Sequence, residues 1–171
     1  MRVPFLALIL ALVAPLTLAR AAVPAPHMRA QTFDELAQPL PLPYDENLDA
    51  MAAVSAARVR AKAAHKLLLI DLGGNWCLDC RLLAGTMDLP ELKGFVRRHF
   101  ELVPIDVGRF DKNLAIPAHY GIKKRLEGVP SMLVIDPRTD RLINGGHVAA
   151  LADARSMTPQ ALADWLAQWA R

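Results

Sequence analysis

Cysteine is nearly absent from this chain: its 171 residues hold two, Cys77 and Cys80. Two thiols cannot build a disulfide-dense scaffold, and alone they cannot complete a four-sulfur zinc site. Charge of one sign is missing as well, with 20 Lys and Arg against 17 Asp and Glu. The clusters Arg97-Arg98-His99 and Lys123-Lys124-Arg125 are short, and aromatic residues make up only 6% of the chain. Both clusters therefore read as solvated surface, because nucleic-acid binders carry longer basic stripes interleaved with stacking aromatics. Nucleic acid is not an expected partner. There is no phosphate-cradling glycine loop, no internal repeat and no paired-histidine spacing, His99 and His119 being isolated. No metal and no organic cofactor is expected. What the chain does have is 53% hydrophobic and 22% charged residues, the composition of a folded protein with enough length for one domain and an appendage.

The appendage stands first. Met1-Arg2 makes a positive start, Val3 to Leu18 runs 16 residues without a charge, and Ala19-Arg20-Ala21 has the small-x-small form of a signal-peptidase site. Residues 1–21 are read as a secretory signal. The competing reading is a retained anchor, but the run falls short of the roughly 20 residues that span a bilayer, and Pro15 interrupts it. The expected mature protein is a periplasmic monomer with no stable membrane insertion. Losing Arg2 and Arg20 leaves 18 basic against 17 acidic residues, so the overall pI of 9.1 says little about function.

Residues 22–44 form a Pro-rich segment, expected as a tether or strap with at most a helical turn within residues 29–38. Residues 45–171 are expected to form the domain. Asp45 or Asn47 can cap a first helix with Leu48, Met51, Ala52, Val59 and Ala63 on its apolar side. Leu67 to Leu72 is almost wholly apolar and ends in Gly73-Gly74, the pattern of a buried central strand. A helix from Cys77 to Thr86 follows, then a second start at Asp88-Leu89-Pro90-Glu91 that turns Leu92, Phe95 and Val96 inward. Phe100 to Val107 is a strand interrupted by Pro104, residues 108–127 a loop with a helix near Ala115 to Tyr120, and Met132 to Ile135 a strand. Arg141 to Asn144 pairs back on that strand as a hairpin. Thr158 and Pro159 open a last helix in which Leu162, Trp165, Leu166 and Trp169 share a face as core anchors.

The chemistry lies in Gly73-Gly74-Asn75-Trp76-Cys77-Leu78-Asp79-Cys80-Arg81, between a strand and a helix. A cysteine at a helix N-terminus meets unpaired backbone N–H groups and the positive end of the dipole, which favour its thiolate. A second cysteine three residues on lies one turn deeper on the same side, the arrangement for attack, mixed disulfide and resolution. A purely structural disulfide here would close a ring of four residues, worth about 1.9 kcal/mol in the chain-entropy description against about 3 for fifteen. It would be a poor staple. Zinc would need two further ligands, and inert thiols sit badly with export into an oxidising compartment.

Trp76-Cys77-x-x-Cys80 after an apolar strand, with Gly128-Val129-Pro130-Ser131 opening a later one, resembles the thioredoxin superfamily over roughly Leu48 to Arg171. The resemblance implies an α/β, thioredoxin-like three-layer fold with a central mixed sheet of about four to five strands flanked by helices. It further implies a cis peptide before Pro130, docking of an extended partner chain on Val129 and Pro130, and a surface around the disulfide shaped by Trp76. Asp71, six residues before Cys77, matches a buried acid that helps deprotonate the resolving cysteine. Its place inside an apolar strand points independently to a titrating site, the alternative being a carboxylate bonded to backbone. Two departures loosen the match to thioredoxin itself: Leu78-Asp79 stands for Gly-Pro between the cysteines, and Gly85 for the proline that kinks the helix. The second start at residues 86–91 is similar to exported thioredoxin-like domains, among them the C-terminal domain of the inner-membrane thiol:disulfide reductase.

The function implied is thiol:disulfide exchange with protein thiols and disulfides in the cell envelope, Cys77 attacking and Cys80 resolving, with a membrane dithiol donor upstream. Asp79 beside Cys77 is expected to raise its pKa, partly offset by Arg81, which leans the reading toward a reductase or electron carrier. A thioredoxin-fold binding module without turnover, and an oxidase or isomerase using the same cysteines, are the alternatives.

Overall fold

Leu67–Gly73 (β1) is buried at every residue because it is an interior strand with helices on both of its faces. In this computed structural model, which describes residues 22–171, the sheet order is β2-β1-β3-β4. The signal read in residues 1–21 lies outside the described residues. Phe100–Asp106 (β2) runs parallel to β1, Ser131–Asp136 (β3) antiparallel to it, and Arg141–Leu142 (β4) antiparallel to β3. Pro104 falls on β2 opposite Asp71, and β2 is an edge strand, where a residue lacking an N–H is tolerated.

The alternation along β1 sorts the layers. Leu68, Ile70 and Leu72 meet Val54, Ala57 and Ala61 of Ala50–Ala63 (α1). Leu67 and Leu69 meet Leu83 of Leu78–Asp88 (α2), Phe95 of Pro90–His99 (α3) and Leu162 of Pro159–Trp169 (α5). Ala115–His119 (α4) contributes Ile116 to the first face. The expected three layers are present, with four strands.

Three local expectations need correction. Asp49, not Asp45 or Asn47, caps α1, its side chain accepting from Ala52 N–H at 3.0 Å. The buried side of α1 is Ala50, Val54, Ala57 and Ala61, whereas Met51 and Val59 are exposed. In a helix made largely of alanine the small side permits close approach to the sheet, and contact area follows distance more than side-chain size. β4 is two residues long because Asn144 turns inward and replaces a strand partner. Its Oδ1 accepts from Val134 N–H at 2.9 Å and its Nδ2 donates to Met132 O at 2.8 Å. In α5, capped by Thr158 as expected, Leu162 and Leu166 are buried, while Trp165 and Trp169 are half-buried and pack edge to face.

The Pro-rich segment is a strap laid along the domain, with Met28, Leu36, Leu40 and Tyr44 buried and one 3₁₀ turn at Phe33–Glu35. Gln160 of α5 bonds Met28 N–H and Pro26 O, and Arg81 of α2 donates to the carbonyls of Leu40 and Pro41. Gly85 faces this strap: a Cβ there would press on Leu36 and Leu40 at 3.3 and 3.4 Å. Where the resemblance supplies a kinking proline, this helix has the residue that lets the strap lie close. Among the described residues no helix is long and apolar enough to cross a membrane.

Candidate active site

β1 ends at Gly73, a turn closes through Cys77 N–H to Gly74 O at 3.0 Å, and α2 begins with Cys77 as its N-cap. The Cys77 sulfur accepts from Cys80 N–H at 3.2 Å and its thiol donates to Val129 O at 3.4 Å. Both sulfurs are buried thiols. They titrate apart. A hydrogen bond from the Cys80 thiol, with the Cys80 backbone N–H, holds Cys77 below the ordinary thiol range despite its burial. Donating that bond, together with burial, pushes Cys80 far up. One sulfur is thus favoured as thiolate and its neighbour held as thiol until something removes the proton.

The Val129–Pro130 peptide is cis and both residues are buried, so the loop presents its backbone directly against Cys77. Trp76 is 43% exposed and fixed by its Nε1, which donates to Gly108 O at 2.8 Å. Gly108 has φ +57°, a left-handed backbone that favours glycine. The Arg109 guanidinium stacks 4.3 Å from the Trp76 ring centroid and Phe110 meets that ring edge-on. From Ser131, next to Pro130, a groove of about 520 Å³ runs over Tyr120, Ile122, Leu126 and Val148, with Lys123, Lys124 and Arg125 on its loop.

Asp71 is fully buried on β1. The alternative of a carboxylate bonded to backbone is overturned: its partner is the Tyr44 hydroxyl, which donates to Oδ1 at 2.9 Å, while Oδ2 has no partner. Burial raises its carboxyl to about 7, the phenol bond acting in the opposite direction. Tyr44 escaped the sequence reading. The signal that could have found it is an aromatic hydroxyl in an apolar, proline-rich segment, where a buried phenol requires a partner.

Asp79 corrects the electrostatic expectation. It is 5% exposed and its partner is Arg155, not Arg81, whose guanidinium is turned to the strap. Arg155 N–H donates to Oδ1 at 2.9 Å, Nε to both oxygens at 3.0 and 3.1 Å, and Nη2 to Oδ2. Burial alone would raise Asp79, but these bonds bring it below the usual carboxylate range. Its charge does oppose the Cys77 thiolate, as expected, yet the net effect on Cys77 is downward. Arg155 lies 76 positions away in sequence and had no local signal. No cluster of three or more His, Cys, Asp or Glu suited to a metal ion occurs among the described residues.

A family profile described as thioredoxin-like matches residues 49–137, just over half of the chain. The chain belongs to the thioredoxin-like family. Among solved structures it is similar to a disulphide isomerase from Xylella fastidiosa Temecula1, at 37% identity and a TM-score of 0.68, covering 75% of this chain and 96% of that one. The C-terminal domain of Neisseria meningitidis DsbD in its oxidised form matches at 26% identity and a TM-score of 0.40, over 53% of this chain and 76% of that domain. Comparison with curated proteins finds no match. Membership of the thioredoxin-like family and the likeness to a disulphide isomerase support thiol:disulfide oxidoreductase chemistry in general.

Proposed function

We propose that the protein is an exported thiol:disulfide oxidoreductase whose reduced form acts on the disulfides of protein partners in the cell envelope. The observation that carries this reading is the division of labour between the two sulfurs: Cys77 held toward thiolate at a helix N-terminus, Cys80 beneath it held as thiol. Cys77 attacks a partner disulfide, forming a mixed disulfide and releasing one partner thiolate. Cys80, deprotonated with the help of Asp71, then attacks Cys77, forming the internal disulfide and releasing the second partner sulfur. Two electrons pass to the partner, and a membrane dithiol donor restores the thiols. Val129 and Pro130 take the partner's extended backbone, and Trp76 shapes the rim. Export rests on the signal read in residues 1–21.

Pairing of Asp79 with Arg155 removes part of the argument for a weakly stabilised thiolate, and the relative of 37% identity is a disulphide isomerase. Isomerisation is therefore the second reading: Cys77 attacks in the same way, and the partner's own thiol resolves the mixed disulfide. Replacing Cys80 with alanine should trap partners covalently on Cys77. No trapped partner, with binding retained when both cysteines are alanine, overturns exchange in favour of a binding module. Equilibration with glutathione then sets direction: a potential near that of thioredoxin, about −270 mV, supports reduction, and one near about −120 mV identifies an oxidase. Reactivation of a protein with scrambled disulfides identifies an isomerase.

A further inference from the structure

Tyr44 ends the proline-rich strap, outside the stretch matched by the family profile, which begins at residue 49. Its ring is 3% exposed, and its hydroxyl reaches into the domain to Asp71. Its position is fixed from the active-site loop itself. Asn75, two residues before Cys77, accepts from Tyr44 N–H at 3.1 Å and donates to Tyr44 O at 2.8 Å. Arg81, one residue after Cys80, holds the two carbonyls of Leu40 and Pro41 just upstream. The strap is thus clamped to the loop and the helix that carry the cysteines.

The same hydroxyl meets Cys80. A Cβ on Gly73 would overlap the phenol oxygen and lie 2.8 Å from Cys80 Sγ, so oxygen and sulfur converge on one point that only glycine leaves open. The phenol oxygen and the sulfur thus border the same small space beside Gly73 and face each other across it. A hydroxyl donates one hydrogen and keeps lone pairs to accept another. Its hydrogen goes to Asp71 Oδ1, which leaves the lone pairs for the Cys80 thiol once Cys77, the acceptor of that thiol in the reduced pair, is taken up in the mixed disulfide.

We propose that the Tyr44 hydroxyl is the proton bridge through which Asp71 deprotonates Cys80, an inference that rests on the exchange reading above. In the resolving step the Cys80 proton passes to the Tyr44 oxygen while the Tyr44 proton passes to Asp71 Oδ1. Tyr44 ends unchanged, Asp71 neutral and Cys80 a thiolate. That thiolate attacks Cys77 Sγ: the Cys77–Cys80 bond forms, the bond from Cys77 to the partner breaks, and the partner sulfur leaves with the electron pair. The cysteine pair is oxidised, the partner sulfur is reduced, and Asp71 later yields its proton to water. A bridge is required because Cys80 is fully buried and its proton has no direct route to bulk water. The bond from Tyr44 also keeps the carboxyl from rising further, near the pH at which a general base works best.

The charged groups facing this cluster are few. Cys77 caps α2 and Asp79 lies in its first turn, where it is neutralised by Arg155. Asp71 also floors a depression of about 490 Å³ beside Pro43, at whose mouth stand Lys66, Lys93 and Arg97 against Asp88 and Glu101.

The test loads Cys77 of the full chain with a coloured aromatic thiol, 5-thio-2-nitrobenzoate, and follows its release across neutral pH, which reads the resolving step alone. Tyr44→Phe keeps the ring and deletes the oxygen; it is expected to slow release about ten- to a hundred-fold and to move the midpoint of the pH profile upward. The double variant with Asp71→Asn should be no slower than Asp71→Asn alone, because both act in one path. A Tyr44→Phe profile with the wild-type midpoint, or slowdowns that multiply in the double variant, overturns the bridge. Should Tyr44→Phe fail to fold, the unaltered chain in mixtures of light and heavy water decides. Two protons in flight give a curved dependence on deuterium content, and a linear one overturns the proposal. If Cys80→Ala traps no partner, the exchange reading itself fails; if it traps partners and the Tyr44→Phe profile is unmoved, only the bridge fails.

Discussion

Asp71 and Asp79 flank the same pair of cysteines and are similarly buried, at 0% and 5% exposure, yet they titrate in opposite directions. Asp71 meets a phenol and no cation, so desolvation prevails and its carboxyl rises to about 7. Asp79 is also pushed up by burial, but the Arg155 guanidinium and backbone N–H satisfy both of its oxygens and bring it below the ordinary range. Depth sets the size of the penalty, and the partner sets the sign of the outcome. On the function proposed above, Asp71 is the group that gains and loses a proton near neutral pH, whereas Asp79 stays an anion that helps seat the first turn of α2 against the loop before α5.

The largest effect that would break this comparison is on rate. Asp71→Asn should slow the resolving step by about 10²–10⁴, the usual contribution of a general base, and Asp79→Asn by less than about ten-fold. Stopped-flow release of a thiol from Cys77 measures both, and equal losses would abolish the distinction. Stability should then move in opposite directions. Above pH 7, Asp71→Asn removes a buried charge without a cation and should stabilise the fold by about 2–4 kcal/mol. Asp79→Asn should cost about 1 kcal/mol, a modest figure because the partner guanidinium is half exposed and screened. Urea unfolding of the two variants beside wild type checks the signs.

The pH dependence sharpens the same point. A carboxyl whose folded pKa lies above its unfolded one binds more protons when folded. Its contribution therefore makes stability fall as pH rises from about 4 to about 7, by up to about 1.4 kcal/mol per pH unit, and stay level beyond. The difference between wild type and Asp71→Asn should trace that fall. Asp79 behaves conversely, its contribution being lost only as pH drops through and below the ordinary carboxylate range. The smallest effect is expected from Arg155→Ala, which leaves the Asp79 charge uncompensated near Cys77. The midpoint of Cys77 alkylation against pH should rise, and an unmoved midpoint would show that Asp79 does not reach the thiolate.

Much of the fold was legible where chemistry repeats along the chain. The apolar run 67–72, Pro90 in the first turn of α3, the Thr158-Pro159 start of α5 and the inward positions Leu92, Phe95 and Val96 all appear as expected. Failures occur where pattern is silent. On α1 apolar residues are not confined to one side, and hydrophobicity pointed to Met51 and Val59 while packing chose alanine. The end of β4 depends on one amide, Asn144, turning inward to bond β3, an event without periodicity. At the site, Cys77, Cys80, Asp71, Trp76, Val129 and Pro130 converge because five of them lie beside a strand end and the sixth lies within a strand whose burial the sequence announces.

Sequence by itself determined the cysteine pair at a strand-to-helix junction, the buried acid six residues before it and the proline loop that faces it. The first two follow from local chain direction and side-chain type, and the third from the resemblance of Gly128-Val129-Pro130-Ser131 to the thioredoxin superfamily. Only the tertiary structure decided which groups answer the two buried acids: Tyr44, 27 positions from Asp71, and Arg155, 76 positions from Asp79. A pairing across such distances needs only one side chain at each end and leaves no spacing to read. Yet it sets the sign of the shift, because the field inside a protein depends on separation in space and not along the chain.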